Sequence, residues 1–119
     1  MRTMNKKEIT INGKQFPVVF DMQTMMNFES ISKISFFESK FKTISDRVAL
    51  IAAAVYSADK DSDITIEAIV GNKDFAAVQQ IIAAFVVVSG EMEQFFTVPE
   101  IENQNETETE NQEGDNPKN

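Results

Sequence analysis

The chain contains neither histidine nor cysteine. The first absence removes the commonest general base and the commonest metal ligand together. The second rules out disulfides, thiolate nucleophiles and sulfur-ligated metals. Tryptophan is also missing, and Tyr56 is the single tyrosine. The glycines at 13, 71, 90 and 114 are isolated from one another, so no glycine-rich phosphate loop is available. An enzyme built from this sequence would have to run on carboxylate, lysine, serine or one phenol. The isolated acids Glu29, Glu38, Asp46 and Glu67 show no spacing that selects a catalytic pair. The expectation is a non-catalytic protein with no catalytic residues, no cofactor and no metal site.

Basic charge is scarce too. The formal net charge is −8 over 119 residues. Residues 100–119 hold seven acids against Lys118, which leaves residues 1–99 nearly neutral at −2. Such a body lacks the basic face that nucleic-acid binding requires. Asp59, Asp61, Asp63 and Glu67 imitate the start of a calcium loop. The match then fails, because Ile64 stands where a sharp turn needs glycine and Val70 where the last ligand should be. The longest uncharged run, Phe75 to Gly90, has sixteen residues and includes two glutamines. A membrane span needs about 17–25 strongly apolar residues, so this run reads as a core helix. No apolar signal core follows the N-terminal Met-Arg-Thr-Met-Asn-Lys-Lys-Glu. A cytoplasmic protein with no membrane contact is expected.

What the chain has in quantity is large apolar side chains, ten phenylalanines and six methionines. Residues 8–20, EITINGKQFPVVF, carry Asn12-Gly13 between two β-rich runs, the strongest short-range hairpin signal. A two-residue turn there pairs Ile11 with Lys14 and Ile9 with Phe16. Ile9, Ile11, Phe16, Val18 and Phe20 then share one face. Pro17 requires an edge strand or a bulge. Asp21 caps a helix from Met22 to about Ser30–Lys33. Ser35 caps a short helix with Phe36, Phe37 and Phe41 as its bulky residues. Ser45 caps Asp46–Ala58, an alanine-rich helix apolar nearly all round and therefore central. Asp59–Asp63 is a polar loop, Thr65 caps a short helix ending at Gly71-Asn72, and Asp74 caps a last helix, Phe75–Phe96.

In that last helix, residues 75, 78, 82, 85, 89, 92 and 96 recur at alternating three- and four-residue steps, and six of the seven are apolar. Ile81, Val88 and Phe95 form a flanking row. The β-branched run Val86-Val87-Val88 would also suit a strand. The fold class expected is α+β, mostly α. An N-terminal β-hairpin packs on a small bundle of about four to five helices over residues 1–98, and residues 99–119 form a disordered acidic tail. A body this small cannot hide all its apolar side chains. The surplus suits an adaptable surface for apolar helical segments of another protein. The residues expected to bind a partner are Phe36, Phe37, Phe41, Phe85, Val88, Met92, Phe95 and Phe96.

The segments ITINGKQFPVVFDMQTMMNFESISKISFFE and SDRVALIAAAVYSADKDSDITIEAIV together resemble the tail assembly chaperones of long-tailed bacteriophages and prophages. Members of that family tend to open with a short strand, Asn-Gly-Lys, a second strand and a helix ending in Phe-Glu. An apolar Ala/Tyr helix, a loop and a Thr-x-Glu segment before a short helix follow. The resemblance spans about residues 8–96. It implies a protein that binds the long helical tape measure protein, assists tail tube assembly in the cytoplasm of the bacterial host, and is absent from the mature virion. Contact with the tail tube protein and self-association are left open by it. Two other readings stand beside it: a structural tail component such as a completion or tube protein, and a small regulatory antagonist.

Overall fold

Eight consecutive residues, Val48 to Val55, are buried in one helix. A helix covered on every side must have elements packed all around it, and the rest of the chain supplies them. In the computed structural model, which describes residues 7–97, the order is β1 (Lys7–Ile11), β2 (Lys14–Val18), α1 (Met22–Ser32), a 3-10 turn (Phe36–Glu38), α2 (Ile44–Ala58), α3 (Ile66–Val70) and α4 (Phe75–Thr97). Among the described residues this is one antiparallel hairpin on four helices, the α+β, mostly helical fold expected. The tail expected over residues 99–119 lies outside the described residues.

The hairpin has the register read from the sequence, with Ile11 opposite Lys14 and Ile9 opposite Phe16. Asn12 and Gly13 both take positive φ, 54° and 81°, as a turn matched to strand twist demands. Pro17 sits opposite Glu8 without a bulge. Pairs that exchange hydrogen bonds alternate along an antiparallel ladder, starting from the closing pair Ile11–Lys14. Pro17 therefore falls at a non-exchanging position, where its missing N–H costs no ladder bond. Ile9, Ile11, Phe16, Val18 and Phe20 are all buried. The turn is fastened to the helices by Asn12, whose side-chain amide donates to the Ala68 carbonyl at 3.0 Å and whose backbone N–H donates to Gln80 Oε1 at 2.7 Å.

Asp21 begins α1 through a reciprocal capping box with Thr24. Thr24 is the one buried polar residue among those described, and its hydroxyl is satisfied by the Val19 carbonyl at 2.8 Å. Asp21 also accepts from Ser57 Oγ, while Val19 N–H donates to the Ala54 carbonyl at 3.3 Å and Asn27 Nδ2 to Ala53 at 3.2 Å. These bonds tie α1 and the end of the hairpin to α2. At the far end of α2 the phenol of Tyr56 donates to the Ile64 carbonyl, closing the Asp59–Asp63 loop. Thr65 and Asp74 cap α3 and α4 as expected.

Two expectations are corrected. The cap of α2 is Thr43, not Ser45: Thr43 is extended and its hydroxyl accepts from Asp46 N–H at 3.1 Å, so Ile44 and Ser45 fall inside the first turn. Ser35 stands before the 3-10 turn without a side-chain cap bond. The run Val86–Val88 is helical.

Because Ala53 is completely buried between packed elements, enlarging it overfills the core. Ala53→Leu is expected to cost about 1–3 kcal/mol in urea unfolding, whereas Ala83→Leu, at an exposed site on α4, should change stability by less than about 0.5 kcal/mol.

A candidate protein-binding surface

The aromatic side chains form a connected network that runs from the core to the surface. Phe20, Phe28 and Phe36 are its buried part. Phe36 is the hub, meeting Phe20, Phe28, Phe37 and Phe41 at ring-centroid distances of 5.7, 5.9, 5.4 and 5.3 Å. Phe41 reaches Phe85 of α4 at 6.5 Å, and Phe96 stacks on Phe36 at 6.2 Å. Phe95 meets both Phe20 at 5.3 Å and Phe96 at 5.1 Å. The outer members stand open to solvent: Phe37 is 75% exposed, Phe96 50% and Phe95 43%.

Local polar bonds hold this arrangement. The Glu29 carboxylate accepts from Phe36 N–H at 2.9 Å. The Phe28-Glu29 pair at the end of α1 thus has two jobs: Phe28 fills the core and Glu29 anchors the aromatic hub. Phe41 has φ 54°, a left-handed conformation costly for a bulky residue. It is held there from both sides, its N–H donating to Ser39 Oγ at 3.1 Å and its carbonyl accepting from Arg47 Nε at 2.7 Å. Ser39 in turn donates to Asp46 at 3.0 Å. The Arg47 guanidinium lies 4.5 Å from the Phe85 ring centroid, a cation–π contact.

The residues expected at the partner surface therefore divide. Phe37, Phe95 and Phe96 are exposed. Phe41, Phe85 and Met92 are half-buried and pack against the core. Phe36 at 4% and Val88 at 0% exposure are core residues, a correction to their place in the expected surface. Phe36 is drawn inward because it is surrounded by other phenylalanines. Val88 lies on the buried row of α4, which is Ala77, Ile81, Ala84 and Val88. Of the two apolar rows read along α4, Phe75, Val78 and Ile82 of the first are exposed, and Ile81 and Val88 of the flanking row turn inward. Small alanines at 77 and 84 let α4 lie close to its neighbours, a signal that a count of large apolar residues passes over. The Phe36–Phe41 segment and α4 touch each other through the Phe36–Phe96 and Phe41–Phe85 ring pairs. Met22 and Met26, one turn apart on α1, form a further exposed apolar row, while Met25 packs against the core.

Other parts of the molecule offer less chemistry. The loop acids turn to separate partners. Asp59 accepts from Asp61 N–H at 3.1 Å, and Asp63 pairs with Lys14 at 2.9 Å. The Lys14 ammonium, by its hydrogen bond and then by its charge, holds the Asp63 carboxyl below its usual range. The contribution of that exposed pair is present at neutral pH and is lost as pH falls through the lowered carboxyl pKa. No cluster of three metal-ligating side chains occurs among the described residues. A cleft of about 680 Å³ between α1 and the end of α2 is lined largely by Gln23, Asn27, Ser30, Ser57 and Lys60. By length and composition α4 could cross a membrane, with a mean hydropathy of 1.6, and only 22% of that stretch is buried.

Comparison with family models, with curated proteins and with solved structures finds no match for the chain.

Glu29→Ala removes the acceptor for Phe36 N–H. It is expected to cost about 1 kcal/mol and to speed hydrogen exchange at the Phe36 amide while leaving amides in α2 protected.

Proposed function

We propose that this chain is a non-catalytic tail assembly chaperone, which binds apolar helical segments of a tape measure protein and assists polymerisation of the tail tube around it. The reading places its action in the cytoplasm of a bacterial host and leaves it out of the finished particle. The observation that carries it is the aromatic patch of Phe37, Phe95 and Phe96, solvent-exposed yet fixed from behind by Phe20 and Phe36. Rigid aromatic rings lose little entropy on binding and dominate the energy of protein interfaces. Each ring fully buried by a client helix contributes about 1.5–3 kcal/mol. The exposed thioethers of Met22 and Met26 add adaptable surface of the kind that tolerates varied apolar clients. The resemblance of residues 8–96 to the tail assembly chaperones names the client.

Co-expression with the tape measure protein encoded in the same gene cluster tests the reading. The two proteins should co-purify. Phe37→Asp should weaken the complex by about tenfold or more, with folding stability changed by less than about 1 kcal/mol because the ring is mostly exposed. Two soluble proteins that never co-purify would sink the proposal. A structural tail component would instead appear at many copies in mass spectra of purified particles.

A further inference from the structure

A second apolar surface lies along α4 on the N-terminal side of Phe95 and Phe96. Phe75, Val78, Ile82 and Val86 of α4 are 74%, 37%, 46% and 63% exposed. Their spacing of three, four and four residues aligns them in one stripe along the helix. Ser89 continues the stripe, and Gly90 follows beside it. A glycine inside a helix costs about 1 kcal/mol relative to alanine. Nothing in this chain demands one here, since a Cβ at position 90 would meet no atom within 4 Å.

We infer that this stripe pairs with the same stripe of a second copy, the two α4 helices running antiparallel about a two-fold axis at Ile82. The stripe is self-complementary about that residue. Val78 and Val86 each lie four residues from Ile82, and Phe75 and Ser89 each lie seven. The two-fold therefore sets Ile82 on Ile82, Val78 on Val86, and the large Phe75 over the small Ser89-Gly90 step of the other helix. Gly90 supplies the gap into which that ring fits. A parallel arrangement would instead stack phenylalanine on phenylalanine and leave a void at Ser89.

Charge selects the same direction. Glu91 and Glu93 lie near the negative end of their own α4, with no basic residue in its last turn. Glu93 is eleven residues from Ile82, three helical turns, and so stays on the pairing face. In the antiparallel pair it reaches the positive N-terminal end of the other α4, beside Lys73. Asp74 there is already engaged as the cap of its own helix, accepting from Ala77 N–H at 3.0 Å. A single seam between helices of 23 residues, about 35 Å long, is small among specific interfaces. The pair should therefore be a reversible, concentration-dependent dimer. This inference does not rest on the identity of the client, which engages the Phe37 patch beyond the C-terminal end of the Phe75–Ser89 seam.

The lack of native cysteine makes the test direct. Under oxidising conditions Ile82→Cys should form a covalent dimer. An equimolar mixture of Phe75→Cys and Ser89→Cys chains should form the mixed dimer, and Phe75→Cys alone should not. Positions 75 and 89 are about 21 Å apart along one helix, so no crosslink within a chain can mimic the result. Sedimentation equilibrium of the full chain should show monomer and dimer, and Ile82→Glu should raise the dissociation constant by about tenfold or more with its circular dichroism unchanged. A chain monomeric at every concentration overturns the inference. So does Phe75→Cys linking to itself as readily as to Ser89→Cys, or an Ile82→Glu dimer as tight as the native one. A monomer that floats with phosphatidylglycerol vesicles would assign the face to a lipid surface, and a monomer that does not would leave it to a different chain; both reject the homodimer.

Discussion

The fold depends on one constraint, the burial of α2 on every side. A helix in that position cannot satisfy itself with one apolar stripe; it needs small side chains where neighbours come close and apolar ones everywhere else. Ala49, Ala52, Ala53 and Ala54 meet the first need, and Val48, Leu50, Ile51 and Val55 the second. A two-stranded hairpin has little stability alone. Here its apolar face closes one side of the core, and its turn is pinned by Asn12 to α3 and α4. α1 is held at its start by the bonds among Asp21, Thr24, Val19 and Ser57. Hydrogen bonds to α2 carbonyls and side chains thus fix the angle at which its neighbours lie, while burial supplies the larger share of the energy.

The aromatic network carries that order outward. Phe28 is as deeply buried as the centre of α2, and the buried Phe36 beside it touches rings that touch solvent. Exposed phenylalanines on a flexible loop would collapse onto the body or onto each other. Phe37 instead projects from a turn anchored by the Glu29 carboxylate, and the left-handed Phe41 that follows is braced by Ser39 and Arg47. The strain at Phe41 is of order 1–3 kcal/mol, and the surrounding bonds and ring contacts overdetermine it.

Much of the fold was legible because its signals are local. Asn12-Gly13 sets the hairpin register without reference to anything distant, and the caps Asp21, Thr65 and Asp74 each bond within three or four residues. The misreadings come from choices that only tertiary packing decides. Thr43 and Ser45 are both competent caps, and residue type alone does not choose between them; in the fold Thr43 is the extended residue that accepts from Asp46 N–H. On α4 both rows are apolar, so periodicity could not say which one faced the core; closeness of approach, through Ala77 and Ala84, did. Phe36 and Phe37 are identical neighbours in sequence and opposite in burial. The brace at Phe41 was illegible, because a positive φ at phenylalanine has no propensity signature.

The Tyr56–Ile64 bond has a practical consequence. With no tryptophan and one tyrosine in the chain, that phenol is its only strong near-ultraviolet chromophore and emitter. It is half-buried and hydrogen-bonded across the loop that joins α2 to α3. The protein therefore carries a native optical probe at the junction between its most enclosed helix and its shortest one. Any event that lifts the loop exposes the ring and frees its hydroxyl, and ultraviolet spectra would register it without a label.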